Sequence, residues 1–373
     1  MRAGRWRPAG PARAGDFGAG MVRVDGRSPC PICGRDSFCS VLDGAVCYCT
    51  KVEVGSVLTG TNDRGTYYMH ILDGATLHTR RTGPSAPRFT IARADVEVLH
   101  RANSAILSAL RLDDVDLDDL VSRRGLDERS ARANAYRSSR SEKPSRVARA
   151  AEAAVGREAA MLVPGIVWRW RRGESTDRGW LHWRAADGMV IPVRDLDGRV
   201  VALKIRRRGD VAKGERYLWV TSAERAARDA EASPFVDAPG PRAWATSHVP
   251  LAAAALRGRA ETLAIGEGPL KCDLITALCG VPTVAVPGVS SWALGVEVAK
   301  AWGPVSLVDV CFDMDADRKP EVAAARRDLL DALLREGFDA GVRRWDPKLF
   351  GCDTNGLDDF LAVKRRGGGV CGR

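Results

Sequence analysis

No part of the 373-residue sequence approaches the roughly 18 consecutive apolar residues that would suggest a transmembrane helix. The arginines near the N-terminus are followed by no apolar core. A secretory signal is therefore excluded there, and a cytoplasmic protein with no membrane partner is expected. The pattern GxxxxGK[ST] is missing, so the chain carries no P-loop motor. No internal repeat is visible.

What remains is a globular and basic chain. Hydrophobic residues make up 45%, enough for sizeable cores, and the length suits two or three domains. The net charge of +10 favours a polyanionic partner, nucleic acid first, although an arginine-rich composition alone gives the same sum. Of the ten cysteines, five fall between Cys30 and Cys49. The others, Cys272, Cys279, Cys311, Cys352 and Cys371, are scattered. Such close spacing points to a metal rather than to disulfides.

Composition and periodicity divide the chain into five parts. Residues 1–27 are rich in Gly, Ala, Arg and Pro and are expected to be disordered, with Met21 a possible true start. Residues 28–83 read as short strands around a metal site. CSVLDGAVCYC suggests a hairpin turning at Asp43-Gly44, and TYYMHIL another strand. GPSAP at 83–87 reads as a linker. Residues 91–260 form a basic mixed α+β region. Its first part is helical, with Val96, Leu99, Ala102, Ile106 and Leu110 at helical spacing. Further helical stretches lie near LDDLVSRRGL and RVARAAEAAV. MVIPVRDLDGRVVALKIR then reads as two strands joined by a turn, YLWV as a third, and 223–260 as a polar connection. From 261 to 365 short apolar strands alternate with helices, which predicts a parallel sheet and an α/β class. Residues 366–373 are a flexible tail.

Two groups of residues carry chemistry. CPICG at 30–34 has the spacing of a zinc knuckle. Structural zinc takes four thiolate or imidazole ligands, and Cys39, Cys47 and Cys49 are available to complete the set. His70 reads as a structural or DNA-facing residue rather than a ligand. The second group lies at predicted strand ends, where open α/β sheets bind their ligands. Glu267-Gly268 closes one strand. Asp313 and Asp315 close another and can face one way, being two residues apart. Clustered carboxylates repel, and Mg²⁺ or Mn²⁺ would relieve that repulsion. An acidic helix cap is the plainer explanation for any one of these residues.

IGEGPLKCDLITAL, VAVPGVSSW and CFDMDADRKPEVAAARRDLL together resemble the TOPRIM domain of primases and topoisomerases. They are most similar to the TOPRIM-like domain of phage and plasmid replication proteins. The resemblance implies an E-G-x-x-K-x-D motif at Glu267, Gly268, Lys271 and Asp273. It also implies a third acidic motif in GLDDFLA, with Asp358 and Asp359 at the edge of the site. DnaG-type primases usually have an acidic residue where Lys271 stands. A lysine there would touch phosphate or substrate, or pair with a site carboxylate. The cysteine segment resembles the zinc module of the same proteins. That implies zinc ligation by Cys30, Cys33, Cys39 and Cys49, with Cys47 as the alternative to Cys39. The middle region resembles the basic half of a DnaG-type core, which implies phosphate or nucleic-acid contacts at Arg194, Arg206 and Arg216. VSRRGLDERSARANAY resembles the helix that opens that core, whereas 223–260 offers no counterpart to a later lysine-containing segment.

The resemblance implies a primase-like replication protein of a mobile element. It would perform nucleotidyl transfer from NTPs on single-stranded DNA, with structural Zn²⁺, catalytic Mg²⁺ or Mn²⁺, and a helicase supplied by another protein. A TOPRIM nuclease and a non-enzymatic single-stranded-DNA-binding module are the alternatives. Trp168, Trp170, Trp180 and Trp183 alternate with arginines and could stack on bases. They are expected to fill a small core instead.

Overall fold

The structure, a computed structural model, describes residues 21–42, 46–54, 56, 58–62, 65–72, 92–223, 233–314, 319–346, 348 and 354–366. It divides into two units, Met1–Arg88 and Phe89–Arg373.

The first unit contains one antiparallel sheet. Its strands are β1 (Met21–Arg23), β2 (Ser40–Leu42), β3 (Val46–Cys49), β4 (Leu58–Asn62) and β5 (Gly65–Ile71), in the order β1-β2-β3-β5-β4. The predicted hairpin is β2 paired with β3, although its turn at Asp43-Gly44 lies outside the described residues. The expected disorder of 1–27 does not extend to its end. Met21–Arg23 pairs with Ser40–Leu42, and Val24, which follows it, joins the small core formed around Val41 and the cysteines. Residues 1–20 and the 83–87 linker lie outside the described set.

The second unit opens with helices. These are α1 (Val96–Ala109), α2 (Asp114–Asp118), α3 (Glu128–Ala133), α4 (Pro144–Val155) and α5 (Arg157–Met161), with the two-residue strand β6 (Arg137–Ser138) before α4. The Asp95 carboxylate accepts from the Val98 amide and caps α1, and Asp127 does the same for α3 from Ser130. Between α2 and α3, Asp119–Arg123 forms a single π-helical turn.

Next come β7 (Ile166–Arg171), β8 (Trp180–Trp183), β9 (Gly188–Arg194), β10 (Val200–Arg207), β11 (Tyr217–Trp219) and β12 (Phe235–Asp237). They form two antiparallel sheets, β11-β10-β9-β6 and β12-β7-β8. The expected strand-turn-strand is β9 and β10. The stretch read as a plain connection contains β12, which pairs with β7. Three residues with no alternation give no sequence signal. What holds this strand is long-range: Asp237 accepts two hydrogen bonds from Arg169, at 2.5 and 2.9 Å. Trp183 is fully buried, while Trp168, Trp170 and Trp180 are half-buried.

The last part is α6 (Leu251–Ala254), β13 (Thr262–Glu267), α7 (Pro269–Cys279), β14 (Thr283–Val286), α8 (Ala293–Trp302), β15 (Leu307–Cys311), α9 (Pro320–Arg335), β16 (Asp339–Val342) and α10 (Leu357–Arg365). The four strands form the predicted parallel sheet, ordered β14-β13-β15-β16. Every residue of β14 is buried, as continuous apolar strands between helices require. Met189 and Ile191 of β9 share a core with Leu270 and Leu274 of α7, so the basic region and the parallel-sheet region pack as one body. No described helix is long and apolar enough to cross a membrane.

Candidate functional site

In the first unit the CPICG segment folds back on itself. The Gly34 amide donates to the Cys30 carbonyl at 2.8 Å, and Gly34 has φ +71°, a conformation a residue with a side chain rarely adopts. The sulfurs of Cys30, Cys33, Cys39 and Cys49 all lie within 4.8 Å of one another. Cys33 and Cys39 are 3.7 Å apart. A tetrahedron with zinc–sulfur bonds of about 2.3 Å has sulfurs about 3.8 Å apart, so the set fits zinc. Backbone amides point at the outer pair: Thr50 N lies 3.5 Å from Cys39 Sγ, and Lys51 N and Val52 N lie 3.4 Å from Cys49 Sγ. Such donors stabilise thiolates.

The thiols show why an ion is wanted. Hydrogen bonds from Cys39 and Cys47 hold the Cys30 thiol well below its ordinary range. Burial pushes Cys33 up to about 11, and donation to Cys30 together with burial raises Cys39 and Cys47. One negative charge therefore excludes the others until a cation shares the site. Cys47 lies 3.5 Å from Cys30 Sγ but outside the four-sulfur group. His70 Nε2 donates to the Val52 carbonyl at 2.7 Å and so ties strand to loop.

In the second unit Glu267 is the last residue of β13. Gly268, at φ +84°, turns the chain into α7, whose first residue is Pro269. Asp313 follows β15 by two residues. Lys271, one turn into α7, donates to both Asp313 oxygens at 2.7 Å. Asp358 and Asp359 stand in the first turn of α10. Gly356 marks their approach to Asp313. A Cβ placed there would lie 2.6 Å from Asp358 Oδ1, 3.4 Å from Asp359 Oδ2 and 3.7 Å from Asp313 Oδ1. Asp315, Cys352 and Cys371 lie outside the described residues.

The electrostatics are those of a crowded acidic site. Burial raises the Glu267 pKa; Lys271 opposes the rise, Asp313 adds to it, and Lys204 and Lys319 oppose it further. Asp358 is 2% exposed, and burial together with Asp359 pushes it up to about 6 despite Lys271 and Arg124. Its Oδ1 has no hydrogen-bond partner among the described residues. A buried unpartnered carboxylate oxygen beside two further carboxylates is the donor chemistry that a hard divalent cation takes. Glu267, Asp313, Asp358 and Asp359 therefore suit Mg²⁺ or Mn²⁺. Lys271 meanwhile occupies Asp313, and among the described residues only the four cysteines bring three or more ligand atoms within 4.8 Å of one another.

Asp273, the last residue of the E-G-x-x-K-x-D pattern, lies apart from this group. It accepts from Tyr136 Oη, and from His248 Nε2 at 3.1 Å. His248 Nδ1 accepts from the Arg194 amide at 3.0 Å, which leaves the ring proton on Nε2.

The three arginines expected at phosphate differ in setting. Arg194 is 4% exposed and donates to the Asn134 carbonyl, because all seven residues of β9 are buried. Arg206 pairs with Asp119 at 3.1 Å, and Arg216 is exposed. Two further cations escaped the sequence reading. Lys204 is 6% exposed and shares a face of β10 with Arg206. Its Nζ lies 3.4 Å from the Pro287 carbonyl and 5.0 Å from the Trp219 ring centre. Burial lowers its pKa and Glu267 opposes that. A lysine inside the apolar run VVALKI was the available signal. Arg124 contacts Asp358 at 3.7 Å and Asp119 at 2.9 Å. Its signal was the arginine preceding Gly125 in VSRRGL.

No protein-family model and no curated protein matches the chain. Its structural neighbours are DnaG-type primase cores. The zinc-binding and RNA polymerase domains of the Aquifex aeolicus primase align at 16% identity and a TM-score of 0.46. That alignment covers 73% of this chain and 60% of the other, so the chain spans less than two thirds of that relative. A DnaG primase catalytic domain bound to single-stranded DNA aligns at 16% identity and a TM-score of 0.48, covering 73% and 76%. The primase fragment of the bacteriophage T7 primase-helicase aligns at 11% identity and a TM-score of 0.36, covering 91% and 94%. At these identities and TM-scores the likeness assigns the chain neither a family nor an activity.

Proposed function

We propose that the chain is a primase-like nucleotidyltransferase acting on single-stranded DNA, with a TOPRIM-type catalytic region and a zinc ribbon. The observation that carries this reading is the gathering of Glu267, Asp313, Asp358 and Asp359 past the carboxyl ends of parallel strands, with Lys204, Lys271 and Arg124 around them. Glu267, Asp313 and Asp315 would hold Mg²⁺ or Mn²⁺, supported by Asp358 and Asp359. When bound, the ion supplies charge neutralisation for a reacting phosphate. In the proposed reaction a 3′-hydroxyl attacks the α-phosphate of an NTP, a phosphodiester bond forms and pyrophosphate leaves. Arg206 and Arg216 would contact phosphate of the nucleotide or of the nucleic-acid backbone, and Lys204, 6% exposed, would act on the site through its charge beside Glu267. Arg194 is assigned to the fold, since its burial supports no solvent-side role. Cys30, Cys33, Cys39 and Cys49 would hold a structural zinc. A mobile-element origin, a cytoplasmic location and a helicase from another chain belong to the same proposal.

A second reading, a binding module without catalysis, draws on one observation: Lys271 takes both oxygens of Asp313. A single experiment separates the readings. The protein is incubated with single-stranded DNA, NTPs and Mg²⁺ or Mn²⁺. New oligonucleotides support nucleotidyl transfer, a shortened template indicates a nuclease, and a retarded but unchanged template indicates a binding module.

A further inference from the structure

The π-turn at Asp119–Arg123 follows α2 directly and ends that helical stretch, and such turns concentrate at functional positions. Its closing hydrogen bond runs from the Arg124 amide to the Asp119 carbonyl, 3.2 Å over five residues. In an α-helix, residues five apart sit about 140° around the axis from each other. The π-turn instead brings them to one side, and Arg124 Nε donates to Asp119 Oδ2 at 2.9 Å. The same carboxylate receives Arg206 from β10, with Nη1 3.1 Å from Oδ2 and Nη2 3.4 Å from Oδ1. All three side chains are largely covered, at 16%, 13% and 11% exposure for Asp119, Arg124 and Arg206. One carboxylate thus holds these two covered guanidinium groups, which would repel each other without it, and the exposed Arg123 also reaches it at 3.4 Å.

Arg124 borders the carboxylate site, and Arg206 is tied to it through Asp119. Arg124 Nη1 meets Asp358 Oδ2 at 3.7 Å, beyond a hydrogen bond, so this end retains donor capacity for an anion. Arg206 shares its strand face with Lys204, and its Nε is buried with no partner among the described residues. We propose that Asp119 is a positioning residue: it fixes Arg124 and Arg206 at the rim of the carboxylate site as a preformed seat for the polyphosphate of a nucleoside triphosphate. The inference rests on the nucleotide-handling reading above and adds the residue that organises its cations.

The test uses the full chain in two assays. One measures template-directed oligonucleotide synthesis in Mg²⁺ at varied ATP. The other measures ATP binding by calorimetry in Ca²⁺. Asp119→Asn should raise the KM for ATP about tenfold and leave kcat within about twofold, the pattern of lost binding common to ground and transition states. Asp119→Glu should recover most of that loss, with melting temperatures of both variants within about 3 °C of the parent. An unchanged KM in Asp119→Asn overturns the proposal. So does a collapse of kcat and melting temperature that Asp119→Glu fails to repair, because the role would then be purely structural. If the parent makes no oligonucleotide yet its ATP affinity falls about tenfold in Asp119→Asn, the clamp stands and the primase reading falls. If the parent binds no ATP, the clamp falls.

Discussion

The two clusters of potential ligands, sulfur in the first unit and oxygen in the second, are neutralised in different ways. The sulfurs of Cys30, Cys33, Cys39 and Cys49 lie within 4.8 Å of one another, with backbone amides aimed at Cys39 and Cys49. The carboxylates are more widely spread, and the chain's own cations already compensate them: Lys271 on Asp313, Arg124 beside Asp358, Lys204 toward Glu267. In the proposed reading the first arrangement requires an ion for its fold, whereas the second folds without one and binds it for reaction.

The largest effect should come from the sulfur site. A structural zinc in a small unit contributes on the order of 10 kcal/mol of binding free energy to folding. Cys33→Ser should lose the one zinc per chain found by metal analysis and unfold the first unit. Zinc-free native protein with that unit intact would remove the contrast.

A smaller effect, of opposite sign, is expected at Asp358. In the folded chain it keeps its proton up to about pH 6, against an ordinary value of 3.8. The folded state therefore binds more protons between these values, and stability falls as pH rises across them. Asp358→Asn removes that loss, worth about 3 kcal/mol. Its melting temperature in EDTA should exceed the parent's by about 5 °C at pH 7.5, with the gain gone below about pH 4. A destabilised variant at neutral pH would mean that the protein does not hold Asp358 against its preference.

The Lys271–Asp313 pair sharpens the comparison further. Lys271→Met or Asp313→Asn should each cost about 1 kcal/mol in EDTA, and the double variant should cost less than their sum. Additive losses in thermal melts would show the pair to be energetically idle. The smallest effect belongs to the exposed Arg216. If it touches a DNA backbone, Arg216→Ala should lower the slope of log K against log[salt] by about 1, with little change in stability. An unchanged slope would remove it from the interface.

Local chemistry was legible in the sequence, and long-range approach was not. CPICG and Glu267-Gly268 announce themselves because spacing along a strand or turn already fixes their geometry, whereas Asp313 lies two residues past β15 and Asp315 falls outside the described residues. The parallel sheet was visible for the same reason, through apolar strands alternating with helices. Asp119 was not singled out, because its significance depends on Arg206, 87 residues away. Tyr136 and Asp273 meet across 137 residues, and neither carries a local sign of the other. Arg194 was expected at phosphate because IPVRD resembles a basic motif, but a strand buried along its whole length turns that arginine inward. Lys204 was passed over for the complementary reason: in a strand read as apolar, its burial beside Glu267 appears only once the sheet is built.

If the carboxylate cluster is dispensable for folding and necessary for chemistry, Glu267→Gln separates the two roles. Burial and Asp313 already raise the Glu267 pKa, so neutralising this residue should leave the melting temperature in EDTA equal to or above the parent's. In the same preparation, oligonucleotide synthesis from NTPs on single-stranded DNA should fall by about 100-fold or more, and stabilisation by Mg²⁺ or Mn²⁺ should disappear. Full synthesis by Glu267→Gln, or a variant that melts well below the parent in EDTA, would contradict the account.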